Sequence, residues 1–158
     1  RAADSAVMTG TNFSSWYNQS EGAFVFGADT FSTAAEIPIF TVQDSPLNDS
    51  FHRASILFAS QRLRYVASNG PTQADIQPVT TITAGAQFKG AFAYATNDFA
   101  ACLNAGTVAT DASGSVPTDI AQMVIGGGGY LTSLNGHIQT IQYFPRRVAN
   151  TQLQAMTA

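Results

Sequence analysis

The sequence is poor in charged residues, in cysteine and in long hydrophobic runs, and each shortage excludes a class of protein. Only 11% of its 158 residues are charged, against about 25% in an average globular domain. The net charge is −3 and Lys89 is the single lysine, so the chain lacks the basic face that phosphate contacts to nucleic acid require. No apolar run approaches the roughly 20 residues of a membrane helix, and no signal peptide is visible. We therefore expect neither nucleic acid nor a membrane as a partner.

The sequence has a single cysteine, so no disulfide can form within the chain. Cys102 is alone and lies in the apolar run Phe99–Leu103, so it is expected to be a small buried hydrophobic residue rather than a nucleophile. A chain of this length is expected to form one domain over residues 1–158, burying about 68–70% of its unfolded surface without a disulfide or metal. Because the first residue is Arg1 rather than Met, we expect a processed start or a piece of a longer protein.

What the chain has in abundance is short β-rich segments, separated by turn residues every eight to twelve positions. The segment Gln87–Ala95 alternates large and small residues and is expected to bury one face. Only Thr151–Met156, with Asn150 as its cap, has a helical pattern. Many short strands with almost no helix predict an all-β sandwich or a closed barrel. The expected strands are Ala23–Phe26, Ile37–Val42, Ser55–Phe58, Leu63–Ala67, Thr72–Gln77, Val79–Thr83, Gln87–Ala95, Phe99–Leu103, Thr107–Thr110, Met123–Ile125 and Gly136–Phe144.

The most specific pattern lies near the end of the chain. It consists of Leu134–Ile138, Ile141–Phe144, Pro145–Val148 and Asn150–Leu153. This pattern resembles the closing segment of the concanavalin A-like lectin/glucanase jelly rolls, in their laminin-G-like and pentraxin-like branch. The resemblance implies an antiparallel β-sandwich jelly roll with a short C-terminal helix. Members of this family bind glycans, sometimes with calcium, and some cleave them.

Two further segments, Arg1–Tyr17 and Phe88–Ala101, are similar to a phage- or prophage-encoded subset of these domains. Such domains often stand at the end of tail-fibre or tail-spike polypeptides. The resemblance therefore implies a location on the virion tail, or otherwise outside the cell.

The carboxylates do not suit a glycosidase, which usually needs two of them about 5–9.5 Å apart. Glu21 and Glu36 are the two glutamates, and neither has an acidic neighbour at strand spacing. A polysaccharide lyase is the less favoured catalytic alternative, with His137, Gln139 and Tyr143 on one strand face.

Against the lyase, Ile141 shares the parity of those three residues, whereas Ile138 is expected in the core. Both isoleucines can be buried only through a β-bulge, which leaves His137 at a strand edge. We therefore expect a protein that is not an enzyme.

Neither the glycines nor the acidic turns indicate a cofactor. The run Gly126–Gly129 lacks the Gly-Lys-Ser/Thr of a phosphate loop. Calcium prefers six to eight oxygen ligands, and Asp44, Asn48-Asp49 and Asn97-Asp98 are each more typical of turns. No cofactor is expected, and calcium stays an open alternative.

Sugar binding needs an aromatic ring for the apolar sugar face and polar groups for the hydroxyls. If Leu63 and Tyr65 face the core, the arginines between and beside them face outward. For Trp16 the favoured interpretation is packing of the N-terminal segment on the sandwich, because tryptophan is usually buried. The binding candidates are Trp16, Tyr17, Arg62, Arg64, Asn97, Asp98, Tyr130 and His137.

The leading hypothesis is a non-catalytic, lectin-like carbohydrate-binding domain of a viral tail or host-recognition protein. Its partner would be a polysaccharide or cell-surface glycan, and repeated copies would add avidity. The alternative is a structural domain that trimerises a fibre or decorates a virion without binding sugar.

Overall fold

The computed structural model describes residues 6–31, 36–45, 49–127 and 133–158, which form two antiparallel sheets and two short helices. The strands are β1 (Ala6–Thr9), β2 (Glu21–Thr30), β3 (Glu36–Gln43), β4 (Ser50–Leu57), β5 (Arg62–Asn69), β6 (Thr72–Ile76), β7 (Phe88–Ala95), β8 (Phe99–Leu103), β9 (Ala109–Asp111), β10 (Gln122–Ile125) and β11 (Gly136–Phe144). The helices are α1 (Thr11–Ser14) and α2 (Asn150–Met156). The six-stranded sheet has the order β1-β10-β3-β4-β5-β6, and the five-stranded sheet has the order β11-β2-β7-β8-β9. The expected β-sandwich with a short C-terminal helix is confirmed.

The turns follow the residues that the sequence offers for them. β4 and β5 pair as a hairpin, and Gln61 in their connection has a φ of 52°. β5 and β6 join through Asn69-Gly70, where Gly70 has a φ of 75°. Because a side chain is strained at that φ, glycine suits this turn.

Two expectations about strands and helices are wrong. The segment Val79–Thr83 is not a strand: it makes one isolated bridge, Thr81 to Arg62, with the Ile82 N–H donating to Gln61 O in the β4–β5 turn. The C-terminus is also not the only helical part, since α1 forms near the N-terminus and buries Phe13.

Helix α2 has a different cap from the one expected. The N-cap is Ala149, whose N–H donates to Gln152 Oε1 at 3.1 Å. Asn150 is the first helical residue, and its Oδ1 accepts a 2.7 Å hydrogen bond from Arg147. The Asn150 side chain, which the sequence predicted to cap the helix, therefore binds Arg147 in the preceding loop instead.

An aromatic layer joins the two sheets. Phe92 of β7 stacks on Tyr65 of β5 with ring centroids 4.3 Å apart and planes 11° apart. His52 of β4 stacks on Tyr94 of β7 at 4.2 Å. All four residues are fully buried. Aromatic rings bury a large apolar area per residue, so this layer contributes strongly to the packing of one sheet on the other.

Strand β7 is buried on both faces, whereas the sequence predicted one buried face. Phe92 and Tyr94 point into the space between the sheets, and Ala91 and Ala93 point to the other side. There they form a second apolar cluster with Leu153 of α2 and its neighbours. Cys102 belongs to this cluster and is fully buried, as expected of a small hydrophobic residue. Neither helix in the described ranges is long and apolar enough to span a membrane.

His52 is the one histidine that the aromatic layer encloses among the described residues. Its Nδ1 lies 2.8 Å from the Tyr65 hydroxyl, and its Nε2 has no hydrogen-bond partner in the described part of the chain. Burial lowers the pKa of His52 from 6.5 to about 3. The imidazole is therefore neutral in the folded protein at every pH above that value.

We predict that His52 makes the protein less stable as the pH falls. Between about pH 6.5 and pH 3, His52 is protonated in the unfolded chain but stays neutral in the folded protein. As the pH falls through this range, the free energy of unfolding therefore falls by up to about 1.4 kcal/mol per pH unit. From pH 6.5 to pH 5, the free energy of unfolding measured in urea should fall by about 2 kcal/mol more in the native protein than in His52→Phe. Carboxylates titrate in both proteins and cancel in this comparison. An identical pH dependence in the two proteins would contradict it.

We also predict that a side chain at position 90 destabilises the protein. A Cβ atom at this position in β7 would lie 2.5 Å from Phe26 Cζ and 3.3 Å from Leu63 Cδ2. Gly90→Ala should therefore reduce the free energy of unfolding by about 1–3 kcal/mol, as overpacking does. The same change in a Phe26→Leu background should cost less, because the ring atoms in the way are gone. Equal losses in both backgrounds would show that this contact is not the cause.

Candidate functional site

The outer face of the six-stranded sheet carries arginines on neighbouring strands. Leu63 and Tyr65 are fully buried, so Arg62 and Arg64 point outward, as the sequence predicted. On β4 the same alternation turns Arg53 outward, since His52 and Ala54 face the core. We call this surface the arginine face, and define it by Glu36, Phe51, Arg53, Ser55, Arg62, Arg64 and Asp75.

Arg64 donates its hydrogen bonds to carboxylates of the arginine face itself. Its Nε and Nη2 donate to the two carboxylate oxygens of Asp75 at 2.9 and 2.7 Å, and its Nη1 donates to Glu36 Oε2 at 3.0 Å. The hydrogen bonds with Asp75 raise the pKa of Arg64 and lower the pKa of Asp75. Such a two-pronged pair fixes geometry as well as charge. Arg64 therefore organises the face.

Arg53 is held differently, with most of its donors free. Its guanidinium carbon lies 4.3 Å from the centre of the Phe51 ring, and its nearest anion is Glu36 Oε1, 4.0 Å from Nη1. No hydrogen bond from its side chain to the described residues is formed, and its Nε is buried without a partner. The side chain is only 16% exposed. Burial lowers the pKa of Arg53, although the charge of Glu36 opposes this.

The two Nη groups of Arg53 make no hydrogen bond to the described residues and are not buried, so an external anion can reach them. Glu36 is the nearest carboxylate, but it lies 4.0 Å from Arg53 Nη1, pairs with Arg64 and accepts a 2.7 Å hydrogen bond from Ser55. Arg62 adds another guanidinium, whose buried Nε has no hydrogen-bond partner among the described residues. On the arginine face three guanidinium groups face two carboxylates, so this part of the described chain carries net positive charge. It is suited chemically to bind a carboxylate.

The aromatic candidates near the N-terminus are packed against the sandwich. Trp16 donates its indole N–H to Asn12 O at 2.7 Å and lies 5.0 Å from the Tyr143 ring, edge to face. This is the packing that the sequence favoured for Trp16. Tyr17 is 8% exposed and stacks on Phe13 and Tyr143. Its ring is therefore not open to a sugar in this structure.

The turn candidates Asn97 and Asp98 hold neighbouring segments together. Asn97 has a φ of 58°, and its Oδ1 accepts a hydrogen bond from the Gly114 N–H at 3.1 Å. Asp98 accepts a 2.7 Å hydrogen bond from Arg147. Both residues lie in the β7–β8 connection, away from the arginine face. Tyr130 lies outside the described residues.

The grouping of His137, Gln139 and Tyr143 on one face is wrong. The β11–β2 register shifts between Ile138 and Thr140, which is the bulge that the two isoleucines predicted. His137 and Gln139 bond to Asp29 on the outer side of the sheet, whereas Tyr143 packs against the core. The lyase constellation is therefore split between two faces. His137 does lie on an edge strand, as expected.

The calcium candidates that the structure describes show no converging set of ligands, and Asn48 lies outside the described residues. Across the described ranges there is no group of three or more histidine, cysteine, aspartate or glutamate side chains that could hold a metal. Asp44 instead accepts a 3.3 Å hydrogen bond from the Ser50 N–H.

Sequence reasoning missed Arg53, Glu36 and Asp75. A signal for Arg53 was present: Phe51, Arg53, Ser55 and Leu57 alternate with His52, Ala54 and Ile56, at the period of a strand with one outer face. The expected strand began only at Ser55, which hid this alternation. Asp75 pairs with Arg64 across the β5–β6 hairpin, whereas Glu36 lies on β3, 28 residues before Arg64 in the chain. No local pattern can show the contact with Glu36.

No protein-family model and no curated protein sequence matches the chain. Among solved structures, the CBM40 domain of the Ruminococcus gnavus IT-sialidase bound to α2,3-sialyllactose superposes with a TM-score of 0.79 at 13% identity, covering 99% of this chain and 95% of that one. NanB sialidase from Streptococcus pneumoniae gives a TM-score of 0.79 at 9% identity over 96% of this chain and 26% of its own. A pentraxin from Limulus polyphemus gives 0.64 at 14% identity, covering 87% and 70%. At such low identities the likeness shows the fold: the chain has the jelly-roll β-sandwich of these CBM40 domains.

Proposed function

We propose that this chain is a non-catalytic carbohydrate-binding domain whose arginine face recognises an acidic glycan. The observation that carries the proposal is Arg53, whose guanidinium makes no hydrogen bond to the described residues and whose Nη groups are not buried. A sugar carboxylate matches the planar fork of an arginine in two parallel hydrogen bonds. The half-buried Phe51 ring beneath Arg53 keeps the guanidinium in place.

The similar solved structures support a glycan as the ligand. The Ruminococcus gnavus CBM40 domain is a carbohydrate-binding module found bound to both α2,3- and α2,6-sialyllactose. Sialyllactose differs from lactose by one added sugar that bears a carboxylate. The chemistry of that ligand agrees with the positive charge of the arginine face.

The carboxylates of the arginine face support binding rather than hydrolysis. Glu36 and Asp75 are both paired with Arg64. The hydrogen bonds from Arg64 lower the pKa of Asp75, which disfavours the protonated form that a general acid needs. These groups serve to position the arginines.

The setting that we propose is a viral tail or another extracellular host-recognition protein, on the strength of the sequence resemblance. Single-site affinity for a glycan would be modest there. Several copies on one fibre, for instance in a trimer, would bind a polysaccharide or cell surface with avidity.

The test is calorimetric titration with sialyllactose and with lactose. The native domain should bind sialyllactose at least roughly tenfold more tightly than lactose, because a charge-assisted bidentate pair is among the strongest hydrogen-bonded contacts. Arg53→Met keeps a flexible side chain over Phe51 and removes the charge, and it should abolish that preference. Arg146→Met removes the same charge from an exposed position and is the matched control. The melting temperature of each variant shows whether it is folded.

Two results would contradict the proposal. One is equal binding of sialyllactose by the native protein and a folded Arg53→Met. The other is a native protein that binds neither sialyllactose nor any other acidic oligosaccharide across a glycan array.

A further inference from the structure

The β4–β5 hairpin presents its outward side chains in three successive cross-strand pairs on the arginine face. The pairs are Arg53 with Val66, Ser55 with Arg64, and Leu57 with Arg62. They follow one another at every second position of each strand, because the positions between them face the core. A ligand that lies along the hairpin therefore meets Arg53 at one end, Arg64 in the middle and Arg62 at the other end.

Arg62 has free donors at its end of the hairpin. Its two Nη groups are not buried, and they make neither a hydrogen bond nor an ion pair with the described residues. Its cross-strand neighbour Leu57 is half-buried and apolar. A free guanidinium beside an apolar side chain is also the arrangement of Arg53 beside Phe51 at the opposite end. A carboxylate of a ligand can therefore reach Arg62 as well as Arg53.

The middle of the hairpin has the opposite charge. Arg64 pairs with two carboxylates, those of Glu36 and Asp75, so these three side chains together carry one negative charge. The Asp75 side chain is 36% exposed. Because a carboxylate has about four positions that accept hydrogen bonds, Asp75 can accept further ones from sugar hydroxyls. A ligand carboxylate at the same place would be repelled by the like charge.

One carboxylate cannot serve both free arginines. Glu36 Oε1 lies 4.0 Å from Arg53 Nη1, whereas Arg62 forms no ion pair with Glu36. Val66, the partner of Arg53, lies four residues after Arg62 on β5. At about 3.3 Å per residue, the Cα atoms of the two arginines are therefore about 13 Å apart along the hairpin. An anion on Arg62 must come from a different part of the ligand than the anion on Arg53.

We infer that the arginine face binds an acidic polysaccharide in which charged and neutral sugars alternate. One sugar carboxylate binds Arg53, the neutral sugar lies over Arg64 and its two carboxylates, and the next sugar carboxylate binds Arg62. This inference rests on the proposed function, since both place a carboxylate on Arg53. It adds the charge repeat of the polymer and makes Arg62 the residue that reads this repeat.

The test is calorimetric titration with hyaluronan oligosaccharides, in which glucuronate alternates with neutral N-acetylglucosamine, and with tetragalacturonate, in which every sugar bears a carboxylate. The native domain should bind the hyaluronan tetrasaccharide, with two carboxylates, at least roughly tenfold more tightly than the disaccharide, with one, because a second charge-assisted contact is added. It should also bind this tetrasaccharide more tightly than tetragalacturonate. A surface that attracts negative charge without regard to its spacing would show the reverse order.

Two variants separate the ends of the face from its middle. Arg62→Met should remove the gain from disaccharide to tetrasaccharide, whereas the control Arg146→Met should keep it. Asp75→Asn removes one of the two negative charges in the middle, so it should raise the affinity for tetragalacturonate relative to that for the hyaluronan tetrasaccharide. The melting temperature of each variant shows whether it is folded.

Sialyllactose, which bears a single carboxylate, keeps this inference apart from the proposed function. The inference alone is overturned if the native protein prefers sialyllactose to lactose but gains nothing from the second carboxylate of hyaluronan. It is also overturned if folded Arg62→Met keeps that gain, or if tetragalacturonate binds as tightly as the hyaluronan tetrasaccharide. A native protein that does not distinguish sialyllactose from lactose would contradict the proposed function itself.

Discussion

The contact between Phe92 and Tyr65, with ring centroids 4.3 Å apart and planes nearly parallel, joins the two sheets at the centre of the molecule. His52 and Tyr94 stack beside it at 4.2 Å. These rings come from β4, β5 and β7, and each fixes which side chains of its strand point inward. Because successive side chains in a strand alternate between faces, an inward Tyr65 requires an outward Arg64. An inward His52 likewise requires an outward Arg53. The arginine face is thus a consequence of the aromatic layer, and a slip of one residue would bury the charges.

The same constraint explains why bulges matter in this fold. A strand with strict alternation can present only every second residue to a ligand. In β11 the bulge lets Ile138 and Ile141 both reach the core, and it also brings Gln139 and Thr140 together on the outer face. One irregularity therefore serves packing on one side and groups two polar side chains above Gly27 on the other. The buried Asp29 secures it through His137 and Gln139.

Much of the fold could be predicted because its evidence is local. Alternation, turn residues such as Asn69-Gly70 and the isoleucine pair in β11 each report on a few neighbouring positions. The site could be predicted only in part. Arg62 and Arg64 were found from their strand parity, but Glu36 and Asp75, the partners of Arg64, lie on other strands. Tyr17 has the side chain of a sugar-binding residue, and only the tertiary packing of Phe13 and Tyr143 shows that it is buried. The double burial of β7 likewise depends on α2, which lies more than fifty residues further along the chain.

The central claim is that the Arg53 guanidinium, which has no hydrogen bond to the described residues, binds a glycan carboxylate. The most direct measurement is the side-chain Nε–Hε NMR signal of Arg53, followed during addition of sialyllactose. The account predicts that this signal shifts as the ligand saturates, because the ligand binds the adjacent Nη groups, while the Arg146 signal stays unchanged. An Arg53 signal that does not move at saturation, with the ligand bound elsewhere on the domain, would contradict it.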